Sequence, residues 1–187
     1  VDTGGTLIKS VVKTVSIKDA KSSAENSIIY TYEMPTNSLV VNLKYQGSKN
    51  LICMCDDGIN LLSDGKITQL MNFNEEGKKY TFAGIDLINN IYEVEESSDG
   101  LSNQASKIKL LNTGTKKEHS YVVSSIAKST LSTGDNIAIN LGTEVYFIDT
   151  RGWLKKKYVA TEEIRDIVVS DRIAAVIFRD QIEIIVL

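Results

Sequence analysis

The single histidine, His119, decides whether a Ser-His-Asp triad is available to this chain. It stands in Lys116-Lys117-Glu118-His119-Ser120. A catalytic base needs a third group to hold its tautomer, and this run of charges reads as the solvated start of a strand. Three pairs of adjacent glutamates, Glu75-Glu76, Glu95-Glu96 and Glu162-Glu163, offer carboxylates for acid–base work. Neighbours on a strand point to opposite faces, so these pairs read as surface charge. Cys53 and Cys55, two apart, share one face of a strand. A disulfide between them needs a distorted backbone, and a zinc site needs two further ligands beyond the thiols. They read as two small buried thiols, and two thiols without a framework leave the redox compartment open.

Asp56-Asp57-Gly58 and Ser98-Asp99-Gly100 have the residue types of a calcium loop. The alternating oxygen ligands and the glutamate at the twelfth place are missing, so turn chemistry is the expectation. Lys155, Lys156 and Lys157 form either a small anion patch or, the reading preferred here, a solvated edge strand. Trp153 is expected to pack partly buried, with an exposed recognition aromatic as the alternative. No phosphate-cradling or dinucleotide glycine loop is present. No residue is therefore assigned a catalytic, cofactor-binding or metal-ligating role.

The elements that carry these residues read as strands. Period-two and short continuous apolar runs separated by polar turns predict strands at 7–17, 27–34, 38–44, 50–55, 59–63, 66–73, 80–86, 91–95, 107–111 and 119–123. Further strands follow at 125–131, 136–141, 144–149, 154–160, 164–170, 172–178 and 182–187. Asp57-Gly58, Asp64-Gly65 and Arg151-Gly152 each separate two such runs, and Asp-Gly supplies the positive φ angles of a type I′ hairpin. Consecutive strands are thus antiparallel neighbours, with no room for the crossover helices of a parallel sheet.

Gly58, Gly100 and Gly142 recur every 42 residues, and the turn at Asp180-Gln181 stands in the same place of a last unit. A period of about 40–45 residues with four short strands is the mark of propeller blades. The Gly100 match is the weakest, because it falls in what reads as a polar insertion, Glu96–Ser106. Runs such as Ile173–Phe178 and Val145–Ile148 are apolar on both faces, where a sheet with one wet face would alternate. They need a sheet on each side. The apolar run Ile182–Leu187 also needs a strand partner, either the 7–17 strand or another copy of the chain.

The segment Asn136–Lys157 resembles a blade of the quinoprotein-like and WD40-like propeller superfamilies. In these, a strand leads through a Gly turn to a Val-Tyr-apolar-apolar-Asp strand, and a second Gly turn leads to the outer strand. Gly142, Val145, Tyr146, Asp149 and Gly152 fill those places, and Asn50–Phe73 repeats them loosely with Gly58, Leu61, Leu62, Asp64 and Gly65. The resemblance covers most of the chain. It implies an all-β fold of antiparallel four-stranded β-propeller blades, partial or small, with about four to five units. The units fall at roughly 1–36, 37–78, 79–123, 124–161 and 162–187 of one propeller-like domain; a β-sandwich is the alternative. The tryptophan docking motifs and the Trp-Asp dipeptide are absent, Trp153 being the single tryptophan, so no cofactor carries over.

A net charge of −3 gives no general attraction to a phosphate backbone and disfavours a nucleic-acid role. No apolar run is long enough to span a bilayer. The chain opens at Val1 without a Met, which leads to the expectation of a trimmed or processed form with room for an anchor upstream. The pattern is also similar to bacterial membrane-anchored propellers, which implies an extracytoplasmic setting. The expected function is a non-catalytic binding or scaffold module that recognises a protein or ligand with its faces and loops. The alternative is a lyase or hydrolase with a loop-built site at a central channel.

Overall fold

The computed structural model describes residues 9–21, 23, 25–74, 76, 79–85, 91–100, 103–112 and 114–187, with the backbone alone at 81–82, 91–100 and 103–104. The chain is all-β, and its backbone contacts divide it into two compact units, Val1–Asn74 and Glu75–Leu187.

In the first unit, β1 (Val11–Val15) pairs antiparallel with β2 (Ile28–Glu33), with a short 3-10 turn at Asp19–Lys21 between them. β3 (Val40–Gln46), β4 (Asn50–Cys55), β5 (Gly58–Ser63) and β6 (Lys66–Asn72) then form a four-stranded meander in chain order. The two sheets meet through Val12, Tyr32 and Met34 on one side and Leu51, Cys53, Cys55 and Leu62 on the other.

The second unit holds three more antiparallel meanders. The first consists of β7 (Lys79–Gly84), β8 (Ile91–Gly100), β9 (Asn103–Asn112) and β10 (Glu118–Val123). The second consists of β11 (Ser129–Thr133), β12 (Asn136–Asn140), β13 (Glu144–Asp149) and β14 (Leu154–Val159). The third has β15 (Asp166–Val169), β16 (Ile173–Ile177) and β17 (Ile182–Val186). Every predicted strand has its counterpart, although Leu7, Ile8 and Asp86 lie outside the described residues.

All five residues of β12 are buried, and the strand's alternation shows why. Ile137 and Ile139, with Ile148 of β13, join Ile108, Leu110 and Val123 of the β7–β10 sheet. Ala138, Val145 and Phe147 point the other way and join Ile167, Val169, Ala174, Val176 and Ile185 of the β15–β17 sheet. The β11–β14 sheet is therefore the middle of three stacked leaves, each large side chain contributing about 1.5–3 kcal/mol of burial. A two-layered sandwich leaves one face of such a sheet wet, so that alternative does not describe this unit. The leaves are propeller-type blades. The outermost strand β14 is largely exposed and carries the three lysines, as its composition predicts.

Two turns differ from expectation. Cys55 pairs directly with Gly58, so the two-residue turn is Asp56-Asp57 and Gly58 already belongs to β5. Its φ is not positive. Glycine is required there because a Cβ would lie 2.3 Å from the carbonyl oxygen of Met71 on β6. At Arg151-Gly152 the loop is longer than a two-residue hairpin: Ile148 pairs with Leu154, Gly152 N–H donates to Asp149 O at 2.9 Å, and only Gly152 has a positive φ. Asp64 (φ 48°) and Gly65 (φ 76°) form the expected type I′ turn. Within the apparent insertion Glu96–Ser106, residues 96–100 and 103–106 are strand: they lengthen β8 and β9 into a ladder that runs to the Gly100–Asn103 pair.

Candidate functional site

The connections between the second and third leaves of the Glu75–Leu187 unit enclose a cleft of about 700 Å³. Its walls come from four places: Lys128 and Ser129 entering β11, Asn140 ending β12, Glu162–Arg165 entering β15, and Arg179 in the β16–β17 turn. Backbone bonds hold the parts together. Lys128 N–H donates to Asn140 O at 2.8 Å, Ile164 N–H to Gly142 O at 2.7 Å and Arg165 N–H to Ile177 O at 2.9 Å. Asn140 Oδ1 accepts Gly142 N–H at 2.8 Å, fixing the β12–β13 turn. Gly142 has φ 104°, and a Cβ there would meet the Lys128 side chain at 2.9 Å, so this glycine clears the path that Lys128 takes across the turn.

The charges in the cleft are unequally committed. Lys128 Nζ pairs with the Glu163 carboxylate, and that bond holds the Glu163 carboxyl below its usual range, with the Arg165 charge adding to it. Glu162 accepts from Gln181 Nε2 at 3.2 Å. Arg165 forms no ion pair among the described residues, and Arg179 has only a long 3.9 Å contact to Asp180, both side chains being highly exposed. Two guanidinium forks therefore face solvent at the cleft. A guanidinium donates two parallel N–H bonds to a carboxylate, which makes it the natural receptor for an acidic side chain.

The residues weighed in the sequence are dispersed. His119 is exposed on β10. Cys53 and Cys55 are buried free thiols on one face of β4, with Sγ atoms 3.7 Å apart. Burial first, and the neighbouring thiol second, push Cys53 up to about 12. Asp56 Oδ1 accepts Leu39 N–H at 2.8 Å and Asp57 Oδ1 accepts the Ser38 hydroxyl at 2.7 Å, so both carboxylates tie the turn to the chain entering β3. Of the glutamate pairs, Glu162-Glu163 lines the cleft, whereas Glu75 and the side chains of Glu95, Glu96, Ser98 and Asp99 lie outside the described residues.

The three lysines of β14 each have a different partner. Lys155 Nζ donates to Asn136 Oδ1 at 2.6 Å, Lys156 Nζ to Val186 O at 2.8 Å, and Lys157 pairs with Glu144 at 2.9 Å. Trp153 is 63 % exposed, which corrects the expected packing role. Its ring instead lies 4.1 Å from the Arg151 guanidinium carbon. Asp149, buried, accepts the N–H groups of Arg151 and Trp153 at 2.9 Å and the Arg151 guanidinium at 2.6 Å. This ordering holds the loop open without a hydrophobic seat for the indole.

Sequence reasoning did not find the cleft, because Lys128, Arg165 and Arg179 are far apart in the chain. A signal was present: Lys128 and Arg165 each stand one place before the first strand of their leaf. The strand repeat puts such positions side by side.

No protein-family model matches the chain, and no curated protein matches it. Solved structures do. Hsv2p of Kluyveromyces lactis is similar at a TM-score of 0.51 with 16 % identity, over 97 % of this chain and 61 % of that one. A protein of unknown function from Bacteroides caccae gives 0.45 and 13 %, over 96 % and 72 %. BamB from Moraxella catarrhalis gives 0.34 and 8 %, over 80 % and 60 %. The chain thus spans about three fifths of the length of Hsv2p. At these identities the likeness to Hsv2p concerns the fold alone. No helix among the described residues is long and apolar enough to cross a membrane, which leaves strands aside.

Proposed function

We propose that this chain is a non-catalytic binding or scaffold module whose loop-built cleft receives a carboxylate-bearing segment of a protein partner. The observation that carries the reading is the pair of guanidinium groups, Arg165 and Arg179, at a cleft whose other charges are already engaged. The volume suits a short run of side chains, within the range of about 300–1,000 Å³ usual for ligand sites. The leaves supply a rigid frame, and the loops supply the contacts. The Lys-, Asn- and Ile-rich usage supports a bacterial setting, which we infer to be extracytoplasmic; fractionation of the native source tests it.

The direct experiment measures fluorescence anisotropy of a labelled oligoglutamate peptide against the protein and against the double variant Arg165→Glu, Arg179→Glu. Binding that weakens with added salt and drops about tenfold or more in the variant supports the reading, because charge-assisted contacts are lost and reversed. Absence of binding, or binding indifferent to the reversal, overturns it. Both arginines are exposed, so the variant leaves the core untouched.

A further inference from the structure

A second cleft, of about 250 Å³, opens in the Val1–Asn74 unit, lined by Thr14, Ile29, Tyr30, Tyr32, Tyr45, Ser48, Lys49 and Asp64. The strand period builds it. Tyr30 and Tyr32 are alternate residues of β2 and share a face, their rings 6.1 Å apart and tilted by 48°. Tyr32 is buried, and its hydroxyl oxygen accepts Gly65 N–H at 3.4 Å. Tyr30 lies against the β5–β6 turn, where its hydroxyl reaches Asp64 Oδ1 at 3.4 Å. Tyr45, near the end of β3, is 60 % exposed and lines the cleft together with Ser48 and Lys49 of the β3–β4 turn.

The lining has three properties that narrow the ligand. Aromatic rings and Ile29 supply apolar surface for a flat or puckered ring. Five of the eight residues, Thr14, Tyr30, Tyr32, Tyr45 and Ser48, carry hydroxyls, each of which both donates and accepts. One carboxylate, Asp64, and one ammonium, Lys49, balance each other. These polar groups are under-used within the protein. Among the described residues, Asp64 Oδ1 has only the long bond from Tyr30.

We infer that this cleft binds a neutral, hydroxyl-rich ring: a single sugar unit, with its C–H face on the tyrosines and its hydroxyls on Asp64, Lys49 and Ser48. Competing ligands fit less well. A quaternary ammonium suits an aromatic cage, but Lys49 repels it. A free anion meets Asp64. A proline-rich segment suits an aromatic groove, but a proline has no N–H and adds no donor to the Asp64 carboxylate beyond the long Tyr30 bond. A sugar hydroxyl supplies one. The volume matches one ring, and the balanced charge predicts binding that is weak and nearly independent of salt. This site is separate from the arginine cleft, and neither proposal rests on the other.

The test uses saturation-transfer NMR on the 187-residue protein with the methyl glycosides of glucose, galactose, mannose and N-acetylglucosamine, each alone. The expected result is transfer to the ring protons of at least one glycoside, and a loss of about tenfold in affinity in Tyr45→Ala, where a stacking ring is removed. Asp64→Asn is expected to weaken binding similarly; asparagine accepts the left-handed φ of 48° at that turn, so the hairpin is kept. Arg165→Glu is expected to leave glycoside binding unchanged. No transfer to any of the four glycosides overturns the inference. So does binding unaffected by Tyr45→Ala in a variant whose circular dichroism is native. Preferential binding of tetramethylammonium or of an oligoproline peptide overturns it as well.

Discussion

Replacing Gly58 by alanine sets a Cβ 2.3 Å from the backbone oxygen of Met71 and 3.3 Å from its carbonyl carbon. Side-chain Cβ atoms essentially never approach within 3.0 Å, so β5 and β6 must separate at their first pairing, Gly58 with Asn72. Both partners are backbone, and neither can swing aside. The ladder is already irregular one step on, between Ile59 and Asn60, and the Phe73 N–H bond to Asp57 O at 2.9 Å closes the same end. Forced overpacking of this kind costs about 1–3 kcal/mol, and a stretched ladder bond adds about 1. Gly65→Ala is the comparison: its φ of 76° is unfavourable for alanine by about 1–2 kcal/mol, but the added Cβ finds only a 3.4 Å contact with the Tyr30 ring. Thermal melts followed by circular dichroism should therefore rank Gly58→Ala below Gly65→Ala, at about 2–4 °C per kcal/mol for a chain of this size. A Gly58→Ala protein as stable as the parent, or more stable than Gly65→Ala, would refute the close-approach reasoning.

Two further outcomes follow from named groups. Thr14→Val removes a buried hydroxyl that has no partner among the described residues, so stability is expected to rise by about 1 kcal/mol in urea titration. For Asp149, burial acts to raise its pKa, but bonds from Trp153 N–H, Arg151 N–H and the Arg151 guanidinium together hold it below the ordinary 3.8. A carboxyl with a depressed folded value contributes stability that is fully present above the unfolded value and is lost as pH falls through the folded one. Asp149→Ala is expected to cost about 2 kcal/mol at neutral pH and to narrow its deficit below pH 3.8, read from urea midpoints across that range.

Much of the fold was legible because it rests on two local rules. Alternation marked each strand, and continuous apolar runs such as Val145–Ile148 announced a leaf with neighbours on both sides, as Phe147 and Ile148 show by burying in different cores. Turn residues were less transparent. Gly65 adopts the positive φ that its dipeptide advertises, whereas Gly58 is glycine for lack of space, and the sequence does not distinguish the two causes. Trp153 was misjudged because its exposure follows from the Asp149 and Arg151 bonds, which its own residue type does not reveal. Both clefts were hidden for a common reason. Thr14 and Asp64, or Lys128 and Arg179, meet only after several hairpins have folded, and no local pattern records such a meeting.

The stacked-leaf account stands most directly on two adjacent residues. Phe147 and Ile148 are both fully buried yet point to opposite faces of β13, while Ile184 on β17 is 64 % exposed. Urea denaturation of Phe147→Ala, Ile148→Ala and Ile184→Ala measures whether both faces of the middle leaf are core. The expected result is a loss of about 2–5 kcal/mol for each of the first two and much less for the third. If either Phe147→Ala or Ile148→Ala costs no more than Ile184→Ala, the middle leaf has a wet face and the stack does not exist.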